Sequence, residues 1–435
     1  MSQFAFTELE IQRAVLTIGV AAVCSVSCAL LGCFLLLKRM SMLGDAIGHG
    51  VLPGIAVAFI LTGQLTSLAT LLGAMVFGVL TALLAESLAS SNVIAEDSSL
   101  GVVYTSLFAI GVVLVSALRY VDLDLNCVLM GQLVLVPRNT IDGFAILGVE
   151  IPVAFPTMLL TLVLTLAFLT VFWKELKLVA FDPNLAQSMG YSPKLVNYLL
   201  IALIAGTTVS AFEAVGLILV LAVLIVPGAS AHMLTDRLAP MLIWSAVFAV
   251  SASILGYFTA TRGRYALDIS GMIAVVLGVQ FALVVLFAPR HGLIAKWWRN
   301  LLLSVRIAEE EILATLFRAE EAGVVVYSLA LKDHGLSSWV IGYAHRKLIK
   351  RGLLTTNEAE LPTLTETGRH TAGNLVRSHR LWESYAGAVL DVPADHVHAI
   401  AARIEHYIGP ELQDELATTL DQPPNDPHGK SIPPK

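Results

Sequence analysis

The chain has 435 residues, 56% hydrophobic and only 14% charged, with a mean hydropathy of +0.77, which excludes an ordinary soluble enzyme and requires residence in lipid. Charge is spread unevenly: residues 1–289 hold 11 Lys and Arg against 15 Asp and Glu, while residues 290–435, half as many, hold 16 against 18. Two physical regimes share one polypeptide, nine of the eleven histidines fall in the second, and the net charge of −6 selects no partner.

In chain order, Phe4 to Arg13 holds Glu8 and Glu10 where a secretory signal carries basic residues, so the first apolar run is expected to remain as a membrane span. A membrane helix needs about 20 apolar residues. Runs free of Asp, Glu, Lys and Arg occupy 14–37, 46–85, 98–118, 151–173, 238–261 and 269–289. The run 46–85 suffices for two helices divided at Thr62-Gly63-Gln64, and 195–235, interrupted only by Glu213, divides near Thr207 to Glu213. The expectation is an all-α polytopic membrane protein with nine crossings, or eight if the last division is a kink or a re-entrant turn.

With nine crossings, Lys38 and Arg39, then Lys174, Lys177 and Lys194, then Arg290 and Lys296 share one side. The excess of basic residues assigns that side to the cytoplasm, with the N-terminus outside, the tail inside, and Arg262 and Arg264 outside. Cys24, Cys28 and Cys33 lie within the first apolar run and Cys127 in a loop, which gives no pairing framework. Lipid-facing apolar packing is the expectation for the first three; Cys24 and Cys28, four apart, also form a soft-metal pair on paper.

Residues 181–190 read as a short capped surface helix, with Asp182 as N-cap and Pro183 as the first helical residue. After Pro289 the stretch from His291 to Arg299, with Lys296, Trp297 and Trp298, suits a membrane surface, and 290–305 is read as a linker. Helical periodicity then appears in Glu309 to Ala322 and Ser337 to Arg351, and a strand pair in Leu353 to Leu364, the order of a winged helix-turn-helix over 306–366. The Pro-rich close from Asp421 to Lys435 is expected to be extended or disordered.

Asp45 and His49, four residues apart on one helix face, open the second span. An ionisable group in hydrocarbon is costly and needs a partner or a solvated path. Carboxylate plus imidazole suits Mn²⁺, Zn²⁺ or Fe²⁺; the plainer alternative is that Asp45 caps the helix while His49 bonds a neighbouring backbone. Counting crossings puts both nearer the cytoplasmic end than mid-membrane, so either the span starts earlier or the pair is an inner gate. Glu213 and His232 are the other titratable groups in the long apolar runs of the second half, and either lines the path or sits at a turn.

The segment from Leu36 to Gly54 (LLKRMSMLGDAIGHGVLPG) resembles the permease family of metal-importing ABC transporters. Three further blocks agree in order: Glu96 to Gly111 (EDSSLGVVYTSLFAIG), Phe181 to Gly190 (FDPNLAQSMG) and Ala214 to Ala231 (AVGLILVLAVLIVPGASA). The resemblance covers about 13–289 and implies a transmembrane permease domain over 1–289. It implies that Asp45 and His49 coordinate the travelling metal, and that Phe181, Asp182, Pro183 and Gly190 belong to the coupling helix that meets an ATPase. The implied substrate is a divalent transition metal, Mn, Zn or Fe. The implied partners are a separate ATPase subunit, an extracytoplasmic metal-binding protein and a second permease chain, identical or not, in the cell (inner) membrane. No G-x-x-x-x-G-K-[ST] motif occurs: Gly429-Lys430-Ser431 has Pro424 where the first glycine belongs, so this chain carries no ATP site and is expected not to be an enzyme.

The tail, about 306–435, resembles the diphtheria-toxin-repressor class of metal-dependent regulators in Leu364 to Arg369 (LTETGR), Arg377 to Glu383 (RSHRLWE), Val397 to His406 (VHAIAARIEH) and Asp426 to Pro433 (DPHGKSIP). The resemblance makes 367–435 a metal-binding and dimerisation region. It places His379, Glu383 and His398 in one site and Glu311, Glu405 and His406 in another, where Ala402 replaces a Cys or Glu ligand. Read without it, His379 with Glu383 and Ala402 with His406 are i,i+4 pairs and Glu405 adjoins His406, a spacing that lets two helices meet over one ion; the plainer alternative is solvated helix faces. Arg346, Lys347, Lys350 and Arg351 on the candidate recognition helix are positioned for DNA phosphates, whereas the acidic balance of 290–435 and the membrane tether oppose DNA binding. The reading is a membrane permease of an ATP-driven metal importer with a metal-sensing or regulatory cytoplasmic tail. The alternatives are a proton-coupled secondary transporter, or a permease whose tail is a metal-dependent DNA-binding repressor.

Overall fold

The computed structural model describes residues 8–40, 42–63, 68–89, 95–117, 133, 136, 140–146, 149–262, 267–324, 337–357, 361–390, 392–393, 401, 404 and 408–434. They divide into two compact units, 1–295 and 296–435. Among the described residues of the first unit, nine stretches are long and apolar enough to cross a membrane.

Helix α1 (Glu8–Leu37) ends where Arg39 enters the left-handed region at φ 61°. The Arg39 amide then donates to Leu36 O at 3.0 Å and the Met40 amide to Leu35 O at 2.9 Å, which closes the carbonyl ladder and folds the buried Met40 back on the helix. The second span is broken into α2 (Leu43–Gly50) and α3 (Leu52–Thr62), because Pro53 has no amide to give the His49 carbonyl one turn back. Gly63, at φ 70°, ends α3 within the expected turn. The remaining spans of the first half are α4 (Leu68–Ala89) and α5 (Glu96–Ala117). A hairpin of β1 (Thr140–Ile146) and β2 (Val149–Pro152) precedes the fifth span, α6 (Ala154–Val171).

Two short helices, α7 (Trp173–Phe181) and α8 (Pro183–Ser188), join α6 to α9 (Pro193–Val215), and the second is the short helix expected within 181–190. The division expected near Thr207 to Glu213 falls instead at Gly216, whose φ of 85° no L-residue adopts readily; Thr207 to Glu213 are helical. Beyond it run α10 (Leu217–Leu234), α11 (Leu238–Arg262) and α12 (Ile269–Phe287).

The bundle centre is α1 against α10 and α11, with α12 behind them and α3 crossing α4. That crossing is close: a Cβ on Gly54 would stand 2.3 Å from the Gly73 carbonyl oxygen, and only small residues permit such an approach in lipid. Cys24, Cys28 and Cys33 are wholly buried in this core and do not face lipid. Leu72, Val76, Val113, Leu160 and Val279 do turn outward, as a lipid-facing surface requires. At one end, Asp236 between α10 and α11 meets Arg290 at 3.1 Å and His291 at 3.2 Å. These two hydrogen bonds, His291 foremost, hold the Asp236 carboxyl below the usual carboxylate range.

Helix α13 (Leu293–Ala322) runs unbroken through the expected linker and the expected 305/306 boundary, with Trp297 and Trp298 exposed near its start. In the second unit, Ile312, Leu313 and Leu316 of α13 pack with Val340, Ala344 and Leu348 of α14 (Ser338–Lys350), and with Leu354 and Leu364 of the wing. The wing is an antiparallel pair, β3 (Leu354–Thr356) and β4 (Pro362–Leu364), in the register Leu354 to Leu364. Residues 325–336, between α13 and α14, lie outside the described residues.

Helix α15 (Glu366–Ala388) starts at Thr365, whose hydroxyl accepts from the Gly368 amide at 3.1 Å, and packs on α16 (Pro410–Thr419). The Pro-rich close is not loose. Asp426 Oδ1 accepts from the His428 and Lys430 amides, Arg377 donates to Pro433 O at 2.6 Å, and the buried Arg380 donates to Ser431 O at 2.5 Å. Two arginines of α15 thus supply the order that composition denied the segment.

Candidate functional site

Helix α2 buries its glycine face and leaves its ionisable face open. A Cβ on Gly44 would meet Leu224 Cδ1 at 2.8 Å, and one on Gly48 would meet Leu217 Cδ1 at 2.6 Å and Phe212 at 3.0 Å, so α2 lies flat on α9 and α10. One position on, Asp45 and His49 share a neighbouring face with side chains about one third exposed, His49 Nε2 standing 3.5 Å from Asp45 Oδ1. Two donors bound to one ion at tetrahedral angles with bonds of about 2.1 Å stand roughly 3.4 Å apart, so the pair is spaced for a shared metal. Asp45 lies inside the first turn and no side chain caps α2, which removes the capping alternative. From α5, Tyr104 stacks on the His49 ring at 5.8 Å and Phe108 meets it edge-on at 5.4 Å, fixing its orientation.

Depth in the bundle corrects the expectation from counting. Gly48 touches the first residue of α10 and the last turn of α9, whereas Lys38 reaches Asn197 in the first turns of α9. The α1–α2 turn is therefore set inside the bundle, and Asp45 and His49 lie well away from the Asn197 end.

In the second unit, α15 brings His379 and Glu383 together, Nε2 to Oε1 3.0 Å, with side chains only 4% and 3% exposed. His428 of the C-terminal hook stands with Nδ1 4.0 Å from Glu383 Oε2, a neighbour that the sequence block Asp426 to Pro433 contained but did not assign. Glu311 is buried on α13. His398, Glu405, His406 and Ala402 lie outside the described residues. Among the described residues no three His, Cys, Asp or Glu side chains gather closely enough to cage an ion unaided.

Residues 9–288 match the ABC 3 transport family, and residues 365–434 match the iron dependent repressor, metal binding and dimerisation domain. The chain belongs to the ABC 3 transport family. Among relatives of this permease, the manganese transport system membrane protein MntD of Bacillus subtilis (strain 168) is 44% identical over 286 residues, 65% of the present chain and 95% of MntD. The zinc transport system membrane protein TroD of Treponema pallidum (strain Nichols) is 37% identical over 351 residues, 79% and 93% of the two chains. Among solved structures, PsaBC from Streptococcus pneumoniae in complex with Fab superposes with a TM-score of 0.52 at 29% identity, covering 63% of this chain and 92% of that one.

The other expected positions of the permease are dispersed. Glu213 is in the last turn of α9, its side chain outside the described residues. His232 is exposed in the last turn of α10, 15 residues and about 22 Å of helix from Leu217 and hence from His49. Asp182 caps α8, accepting from the Leu185 amide at 2.9 Å ahead of Pro183, and Gly190 closes the turn at φ 86°. Phe181, Leu185 and Met189 are exposed there while Ala186 is buried. On α14, Lys347 and Arg351 both pair with Glu309, itself 8% exposed, the latter at 2.9 Å. Arg346 and Lys350 remain on the exposed face, beside the stacked Trp339 and Tyr343.

Proposed function

We propose that this ABC 3 permease carries a divalent transition metal, Mn²⁺, Zn²⁺ or Fe²⁺, inward across the cell membrane, passing it over Asp45 and His49. The observation that carries this reading is that pair: two complementary donors at a chelating separation, on a half-open helix face inside a span, with an aromatic brace on the imidazole. The manganese and zinc in the relatives' names support the metal class without choosing within it. Energy comes from a separate ATPase docked, on the cytoplasmic side in this reading, against the apolar knob around α8, where Phe181, Leu185 and Met189 are exposed. An external metal-binding protein delivers the ion, and a second permease chain completes the path.

In this reading Asp45 supplies oxygen and His49 supplies nitrogen. Tyr104 and Phe108 keep the ring aimed, so the ion meets an oriented pair rather than a flexible one. The repressor-like tail senses cytoplasmic metal through His379 and Glu383, with His428 within reach, and adjusts transport. Pairing of Lys347 and Arg351 to Glu309 favours this over a DNA-binding tail.

The test is metal uptake into proteoliposomes containing the full chain with its ATPase. ATP-dependent uptake is expected, and uptake driven by a proton gradient without any ATPase would overturn the reading in favour of a secondary transporter.

A further inference from the structure

Away from Asp45 and His49, three ionisable or amide side chains, one just past α1 and one each on α4 and α9, join in one part-buried chain. Lys38 Nζ, just past the end of α1, donates to Asn197 Oδ1. Asn197 Nδ2, on the fifth residue of α9, donates to Glu86 Oε1 at 2.7 Å, near the end of α4. All three are of intermediate exposure. Opposite charges bridged by an amide that uses its acceptor and its donor at once make a directional polar link between these segments, of a kind that apolar packing does not supply. The fold does not need them for packing alone, since α4 and α9 already meet through Gly78 and Val209 and through Gly206 and Met75.

The positions of the three residues supply the reason. Asn197 follows α8 closely, and the intervening turn is stiff: the Gly190 amide donates to Gln187 O at 3.1 Å, the Tyr191 amide to Ala186 O at 3.1 Å, and Ser192 caps α9. A push on α8 is therefore delivered to the first turns of α9. Lys38 in turn stands five residues before Leu43, where α2 begins, and the Arg39 turn fastens it to the end of α1. The side-chain chain thus links the start of α9, just after α8, to the turn that leads into α2 with its Asp45 and His49, and Glu86 anchors it to α4.

We propose that Lys38, Asn197 and Glu86 form a latch at the α8 end of the bundle, with Asn197 as the positioning residue. Closed, as here, it holds the α1–α2 turn against α9 and keeps the way out beneath Asp45 and His49 shut. Displacement of α8 draws Asn197 off Lys38 and frees that turn. The latch rests on the permease reading above, and transmits the stroke without touching the metal.

The experiment is the number of metal ions taken up per ATP hydrolysed by the full chain reconstituted with its ATPase. Asn197→Leu removes both hydrogen bonds. It is expected to lower that ratio about tenfold while ATP hydrolysis stays within about twofold of wild type, whereas Lys38→Arg, which keeps a cationic donor, is expected to retain the ratio. A lowered melting temperature with an unchanged ratio in Asn197→Leu makes the trio a structural brace and overturns the latch. If Asn197→Leu fails to assemble, Lys38→Met and Glu86→Leu each sever one link; the same drop in ratio supports the latch, and wild-type ratios in both overturn it. Wild-type protein that shows no ATP-dependent uptake would overturn the permease reading itself, and the latch with it.

Discussion

At the scale of single residues, the second span shows how strongly a side chain's meaning depends on its neighbours one position away. Gly44 and Gly48 are there because Leu224, Leu217 and Phe212 leave no room for a Cβ, and Asp45 and His49 are there because the adjacent face is open. Asp45→Asn and His49→Ala remove donors and little packing, so metal uptake is expected to fall at least about tenfold while the melting temperature in detergent stays near wild type. Uptake at wild-type rates in both variants would show that the ion takes another route. Gly54→Ala is expected to do the reverse. Its new methyl would meet the Gly73 carbonyl, backbone that cannot swing aside, and overpacking of this kind costs about 1–3 kcal/mol. A drop in thermal midpoint in that variant, with the residual folded protein still transporting, is the outcome to look for.

At the scale of elements, ion pairs to two glutamates of α13, Glu321 and Glu309, define what the tail's helices hold. Arg380 is almost fully buried and donates to Glu321 on α13 at 3.0 and 2.6 Å as well as to Ser431 O, so one guanidinium binds α15, α13 and the C-terminal hook. Arg380→Met should release residues 421–434 to a protease and cost about 3 kcal/mol, the scale for removing one partner of a buried pair. A hook that stays protected would show that the Asp426 turn and the Arg377 bond suffice. On α14, Lys347→Ala and Arg351→Ala each take a partner from the buried Glu309. Both are expected to destabilise the tail by about 1–3 kcal/mol. Arg346→Ala and Lys350→Ala, on the exposed face, should leave stability within about 0.5 kcal/mol. Equal losses of DNA affinity in all four, with no change in stability, would instead restore the recognition-helix reading.

At the scale of the whole molecule, a permease and a repressor-like metal domain on one chain make the transported ion the natural ligand of the tail. Binding to the folded state alone stabilises by mass action, about 2.7 kcal/mol at a hundredfold excess over the dissociation constant. Saturating Mn²⁺ or Zn²⁺ should therefore raise the unfolding temperature of the tail transition in the full chain, and Glu383→Gln should abolish the rise. Uptake by the wild type should then depend on internal metal, and uptake by Glu383→Gln should not. Identical responses in the two would leave the tail without a part in transport.

How much was legible in the sequence follows from the range of the forces involved. Hydrophobicity and chain connectivity are local, so the sequence by itself determined the membrane-embedded part, the α8 cap at Asp182 and the wing, and brought the crossings to eight or nine; nine apolar stretches stand among the described residues. The Asp45 and His49 pairing was legible for the same reason, because i,i+4 on one helix is a local relation. What the sequence misplaced was decided by contacts between distant segments. The break at Gly216 rather than at Thr207 to Glu213 was marked only by a glycine within an apolar run. The depth of Asp45 and His49 depends on α2 lying on α9 and α10, some 170 residues away, which no count of crossings reveals. The burial of Cys24 and Cys28 depends on which face of α1 meets α10 and α11. The order of the Pro-rich terminus depends on Arg377 and Arg380, and the neutralised cations of α14 on Glu309 across the domain. Tertiary structure decided these because a charge, a glycine or a cysteine has no fixed role until its opposing surface is in place.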